Sequence, residues 1–176
     1  MGIFMEKKVR GSILNSYMAF VTKKWGKEGY RLCMSDIGLW GEFKDGNYYQ
    51  DAIRENILRW IAREKGENYP RECGRFIVSN LGILSWLVRF SDPKTLAAKF
   101  PKNFSEVYSY GRMEAITDKD REIIIRLYDV NRIKESCDVW RGVCEGALEA
   151  TKTKGTVEET RCSIDGDPYC EYKITY

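Results

Sequence analysis

Histidine is absent from the 176-residue sequence, which removes imidazole general bases, histidine-ligated haem and Cys2His2 metal sites together. Any transition-metal site must then be built from thiolate and carboxylate. Proline is scarce, at four residues, and no low-complexity linker or internal repeat interrupts the chain, so disordered and collagenous classes are set aside. Long apolar runs are missing as well. A membrane helix needs about 18 consecutive apolar residues, and the best candidate, Phe76 to Phe90, is broken by Ser79, Asn80, Ser85 and Arg89. No membrane span is expected. The start, Met1-Gly2-Ile3-Phe4-Met5-Glu6, has neither the charged region nor the apolar core of a secretory signal, which predicts a soluble, cytoplasmic protein whose cysteines are thiols or ligands. Charge of one sign is not in excess, with 29 Lys and Arg against 26 Asp and Glu interleaved along the chain. No nucleic-acid partner is expected. The densest basic run, Lys7-Lys8-Val9-Arg10, is too short for a phosphate-binding stripe and reads as a solvated helix start.

What the chain does have is enough apolar content, 43% of residues, to bury one core, so residues 1–176 are read as a single domain. Val9, Ile13, Leu14, Tyr17, Met18, Val21 and Trp25 recur at helical spacing, with Gly26 as the stop. A second short helix is expected over Tyr30–Leu39, and Asp45-Gly46-Asn47 marks a turn before a third, built on Tyr49, Ile53, Ile57, Trp60 and Ile61. Pro70 suits a first helical turn, and Phe76 to Val88 is apolar on most sides, as in a buried helix. Pro93 and Pro101 punctuate Leu96–Tyr110, read as a short helix followed by a loop. After Gly111 the residues turn β-branched. Met113–Thr117 and Glu122–Val130 read as strands, Ser136–Thr151 as a helix, and Thr156–Ile164 with Tyr169–Tyr176 as a hairpin around Asp165-Gly166-Asp167-Pro168. The expected class is α+β: a mainly helical half, residues 1–110, packed on a mainly antiparallel sheet in 111–176 that one helix crosses.

Cysteine is the plentiful reactive residue, and its distribution is uneven. Of six, Cys33 and Cys73 sit on apolar helical faces without neighbouring ligands and read as core. Cys137, Cys144, Cys162 and Cys170 crowd the C-terminal part. A turn centred on Gly166 sets Cys162 opposite Cys170, with Cβ atoms about 4.5–5.5 Å apart, close enough to share one metal. Cys137, at a helix start that favours the thiolate, supplies a third sulfur, and Glu159 is the natural fourth donor for tetrahedral zinc in a chain without histidine. Residues three apart on an ideal strand face opposite ways, so Glu159 joins the cysteines only through a bulge, strand twist or long reach. Asp138, Cys144 and Glu158 are the spare donors. Buried structural thiols are the plainer alternative. Gly142 and Gly146, each costing about 1 kcal/mol in a helix, imply close packing on a neighbour or room for a ligand.

Over Cys137-Asp-Val-Trp-Arg-Gly142-Val-Cys-Glu-Gly146 and Val157-Glu-Glu-Thr-Arg-Cys162-Ser-Ile-Asp-Gly166-Asp-Pro-Tyr-Cys170-Glu-Tyr, the chain resembles the 4-vinyl reductase (hydrocarbon-binding) domain family. That family is related to the sensing domains of phenol- and xylene-responsive activators and, more distantly, to haem nitric-oxide-binding domains and trafficking-particle subunits. The resemblance implies that Cys137, Glu159, Cys162 and Cys170 match the zinc ligands of the aromatic-sensing branch, and that a cavity between helices and sheet takes a small hydrophobic or aromatic molecule. Histidine serves the phenol pocket in that branch and the iron in the haem branch, and this chain has none.

The first functional expectation is therefore a zinc-containing sensor or carrier for a small apolar ligand, homodimeric and acting through a separate signalling partner protein. An enzyme or enzyme subunit related to vinyl reduction in tetrapyrrole synthesis is the alternative, although no dinucleotide-binding glycine fingerprint, phosphate-binding loop or nucleophile–base arrangement is present. A protein-interaction scaffold without a small ligand is the third. Trp25, Trp40, Trp60, Trp86, Phe76, Phe90, Tyr108 and Trp140 are enough aromatics to line a pocket, though residues at helical spacing are more often packing than binding.

Overall fold

Helices precede the sheet along the chain, as the change of pattern at Gly111 predicts. The structure is a computed structural model that describes residues 6–80 and 92–176. A short strand β1 (Lys8–Arg10) leads into α1 (Gly11–Asp36); β2 (Tyr48–Gln50) leads into α2 (Asp51–Lys65), and α3 (Tyr69–Ser79) and α4 (Pro93–Val107) complete the helical part. Then come β3 (Arg112–Ile116), β4 (Glu122–Tyr128), the crossing helix α5 (Lys134–Ala150), β5 (Thr156–Arg161), a 3-10 turn at Ser163–Asp165 and β6 (Cys170–Thr175). β3, β4, β6 and β5 form one antiparallel sheet in that order, and β1 pairs with β2 in a separate ribbon. The α+β architecture read from the sequence is the one the chain adopts. No helix among the described residues is long and apolar enough to cross a membrane.

Several local expectations are corrected. Lys7-Lys8-Val9-Arg10 is not a helix start but β1, whose Val9 is fully buried. Gly26, by contrast, breaks the helix as its sequence position predicts: at φ 67° and ψ −170° it sets a kink between two helices, the second of which runs to Asp36. A positive φ is open to glycine because it has no Cβ to clash. Pro101 lies inside α4 instead of ending it: Leu96, Phe100 and Phe104, four residues apart, pack one apolar face continuously past it, and that burial outweighs the lost backbone hydrogen bond. The helix expected over Phe76–Val88 is described only to Ser79, and Trp86 and Phe90 lie outside the described residues.

One continuous core joins the layers. Trp25 packs edge-on against Phe20, Trp60 and Tyr69, and Phe104, Tyr108 and Trp140 form a second aromatic group where α4 meets α5. Trp40 does neither: it is 81% exposed. The closest helix pair is α3 with α5, and glycine is the reason. A Cβ at Gly74 would overlap the Val139 carbonyl, and one at Gly142 would overlap the Arg71 carbonyl, so the two backbones touch only because both side chains are missing. Of the two readings of the α5 glycines, close packing accounts for Gly142, and for Gly146, where a Cβ would come within 3.0 Å of the Arg75 carbonyl.

A charged pair is also buried in this core. Arg54 on α2 is fully covered; its Nε and Nη2 donate to the two Asp51 oxygens at 2.7 and 2.9 Å, and its Nη1 donates to Ser136 Oγ at 3.0 Å. Ser136 immediately precedes Cys137. The same turn of α5 therefore joins the helical half to the cysteine-rich end of the sheet.

Candidate metal centre

Four donors converge where the start of α5 meets the β5–β6 hairpin. Sγ of Cys137, Cys162 and Cys170 and a carboxylate oxygen of Glu159 all lie within 4.8 Å of one another. Cys137 Sγ is 3.7 Å from Cys162 Sγ and 3.9 Å from Cys170 Sγ. These are not disulfide distances, and all six cysteines are free thiols. Thiolate–metal bonds of about 2.3 Å at a tetrahedral angle would set two sulfurs about 3.8 Å apart.

Of the three routes open to Glu159, a bulge, strand twist or long reach, the bulge is present. Pairing runs Val157 to Ile174 and Glu159 to Tyr172, then slips to Arg161 with Glu171. Thr160 is the extra residue. β6 buries alternate residues, Cys170, Tyr172 and Ile174, and the slip restores the phase so that Glu159 and Cys162 share that inward face. Continuing the register sets Cys162 opposite Cys170. The turn is closed by local bonds: Cys162 N–H donates to Asp167 Oδ2 at 2.9 Å, and Gly166 adopts φ 103°.

The spare donors are not brought in among the described residues. Cys144 lies seven residues beyond Cys137, two turns or about 10.5 Å along the helix, where burial pushes its thiol up to about 12. Glu158 faces solvent on the opposite side of β5. Asp138 is next to Cys137 but points about 100° around the helix. Cys33 and Cys73 are buried in the helical core, as their spacing predicts.

Three sulfurs and a carboxylate in one buried spot cannot all be charged without a cation. Cys170 takes the charge: hydrogen bonding from Cys137, then from Ser163, pulls its thiol down to about 5 against the cost of burial. Ser163 Oγ lies 3.0 Å and its backbone N–H donor 3.2 Å from that sulfur. Cys137 is pushed far up, first by its hydrogen bond to Cys170 and then by burial, so the expectation that the helix start lowers this thiol is corrected. The nearby thiolate outweighs a helix end that Cys137, at the fourth residue, meets only weakly. Burial and the charge on Cys170 raise Glu159. Its Oε1 is sealed from solvent and has no hydrogen-bond partner among the described residues. A bound cation would satisfy that oxygen and hold all three sulfurs as thiolates.

No family model matches the sequence, and no curated protein matches it. Solved structures do. The chain is similar to an H-NOX protein from S. oneidensis described in the Fe(II)NO ligation state, at 16% identity and TM-score 0.77, over 94% of this chain and 97% of that one. It is also similar to an oxygen-binding H-NOX domain related to soluble guanylate cyclases, at 14% identity and TM-score 0.73, over 94% of each chain. The chain thus has the H-NOX fold, the more distant of the relationships that the sequence suggested. Zinc as the resident cofactor is corrected by this likeness, because the matched structures are described by Fe(II), haem and porphyrin. A histidine-ligated haem does not fit these residues either, since the chain has no histidine to bind iron.

Proposed function

We propose that this chain is a small-molecule-binding sensor domain that takes an apolar or aromatic ligand and passes its state to a separate partner protein as a homodimer. The observation that carries the reading is the fold likeness over nearly the whole chain to domains described as binding nitric oxide or oxygen. Without an imidazole, this chain's selectivity must come from the shape and polarity of its own side chains. The resemblance to the 4-vinyl reductase family over the C-terminal motifs supports an organic, apolar ligand over a gas.

The same reading assigns Cys137, Glu159, Cys162 and Cys170 as a structural metal centre for a thiophilic ion. Four protein donors leave no open position for a reacting group, which favours bracing over catalysis. The centre would tie the β5–β6 hairpin to α5, and Ser136 ties α5 to Arg54 on α2. A ligand that shifts the helical half would then be felt at the hairpin through a single helix.

Native mass spectrometry of protein purified without added metal or ligand tests the reading, because one spectrum reports ion, retained small molecule and subunit count. A dimer carrying both adducts is expected. A chain at its bare mass, with neither adduct, would defeat it.

A further inference from the structure

A second, unrelated constellation lies where α3, α5 and the segment leading into β5 enclose a groove of ≈ 520 Å³. Its charged lining is Arg71, Arg75, Arg141 and Lys154 against Glu145 and Glu149, so cations exceed carboxylates. The glycine contacts between α3 and α5 dictate this crowding, because they bring the α3 backbone, with its two arginines, directly against α5. Arg71 Nε donates to both Glu145 oxygens at 3.0 and 2.9 Å, and its Nη2 also reaches that carboxylate. Glu145 is largely covered, with 14% side-chain exposure.

One carboxylate does not satisfy three guanidiniums. The Arg71 fork occupies both Glu145 oxygens; Arg75 Nη1 makes only a long contact of 3.4 Å, and Arg141 Nε stays at 3.8 Å, beyond hydrogen-bond range. Arg141 Nε is nevertheless sealed from solvent, with no acceptor among the described residues. The Arg141 side chain as a whole is 36% exposed, so its outer guanidinium nitrogens remain open to a second anion in the groove. Arg71 with Glu145 alone would clasp the two helices; Arg75 and Arg141 share that one carboxylate at longer range, and with Lys154 they leave the groove with more positive than negative charge.

We infer that this groove binds a phosphate group carried by a small ligand. Arg75, Arg141 and Lys154 supply the charge-assisted donors, and the Arg71–Glu145 pair holds the array in place. A phosphate dianion offers three oxygens to several forked donors at once and balances the excess positive charge. The Thr153 and Thr156 hydroxyls line the same groove and suit the polar remainder of such a ligand.

Calorimetric titration of the intact chain with pyrophosphate, at fixed ionic strength, reads the site directly. One saturable event is expected, weakened about tenfold or more by Arg75→Gln or Arg141→Gln and unchanged by Arg63→Gln on the outside of α2. Arg141→Lys, which keeps the charge and loses the planar fork, should also weaken binding while leaving the melting temperature unchanged. Succinate run in parallel separates phosphate from carboxylate recognition. No saturation by pyrophosphate, equal affinity in Arg141→Gln, or equally tight succinate binding would each overturn the assignment.

Discussion

Glu159 and Cys162 stand three residues apart on one strand yet face the same side of the sheet, because Thr160 is an extra residue in the pairing of β5 with β6. The four-donor centre depends on that single slip. Deleting Thr160 removes the extra residue and leaves Glu159 and Cys162 two apart, still on one face, whereas deleting Thr160 and Arg161 together makes them neighbours on opposite faces. The cobalt(II)–thiolate charge-transfer bands that the parent protein should show on cobalt loading are expected to survive the single deletion and to lose intensity in the double deletion, with far-UV circular dichroism little changed. Full-strength bands in the double-deletion variant would mean that the two donors need not share a face.

The sulfurs can be tested one at a time. Cys162→Ser and Cys170→Ser should lose the bound ion and destabilise the fold by several kcal/mol, on the order of the loss of a structural metal site. Cys33→Ser, in the helical core, should retain the ion. Metal analysis beside urea unfolding distinguishes the cases, and equal metal content in all three variants would reject the assignment.

The hairpin was legible in the sequence because its signal is local. Turn residues around Gly166 fix a register that sets Cys162 across from Cys170, and period-two burial in β4 and β6 needs only a few neighbours to read. The bulge was foreseeable only as one of the routes open to Glu159. By contrast, β1 and β2 are three residues each, too short to carry a period. They exist because Val9 pairs with Tyr49 and bridges to Tyr108 far along the chain. Pro101 misled for a similar reason, since the apolar face that carries α4 past it is rewarded only by tertiary contacts. The Arg71–Glu145 cluster was invisible to a reading of charge along the chain, because its members are about 70 residues apart and meet only through the glycine contact.

Acid–base behaviour of the thiols gives a signed prediction for protein stripped of metal by a chelator. Cys170 has its folded value pulled down to about 5 from 9.0. It therefore contributes stability that is present above the unfolded value and lost as pH falls toward 5. Cys137 is shifted upward; its neutral form is favoured in the folded state, so its contribution is present below the unfolded value and is lost as pH rises beyond it. Glu159, raised by burial and the Cys170 charge, costs stability once pH exceeds its unfolded value and so blunts the gain from Cys170. The thermal midpoint of the stripped protein should rise from pH 5 to a maximum near pH 8–9 and then fall. Cys170→Ser should flatten the rising limb, and an unchanged limb would show that Cys170 is not the thiolate.

The backbone contact between α3 and α5 predicts an unusually sharp response to one carbon atom. Gly142→Ala places a methyl group on the Arg71 carbonyl, and the helices must separate. Helix propensity alone favours Ala by about 1 kcal/mol, but overpacking against a backbone is expected to win, with a net loss of about 1–3 kcal/mol. Gly46→Ala, in open space, is the neutral control. Chemical denaturation of the two variants decides the point: a stabilised Gly142→Ala would show that the helices do not meet there.

Asp51 and Arg54 form a charge pair with 1% and 0% side-chain exposure, so the cost of breaking it is dominated by the partner left behind. Asp51→Ala strands a guanidinium in the core with Ser136 Oγ as its remaining hydrogen-bond acceptor among the described residues, and a loss of about 3–5 kcal/mol is expected. Removing both charges, as Asp51→Ala with Arg54→Met, should cost far less than the sum of the single changes, because no ion is then buried without its counter-ion. Since Arg54 also grips Ser136 beside Cys137, the single change should loosen the start of α5 and weaken metal retention by the hairpin. A double-mutant cycle on unfolding free energy, with metal content measured on the same samples, separates the two effects. Additive energies would mean that the pair does not act as a unit, and unchanged metal content in Asp51→Ala would mean that α5 does not carry the state of the helical half to the sheet.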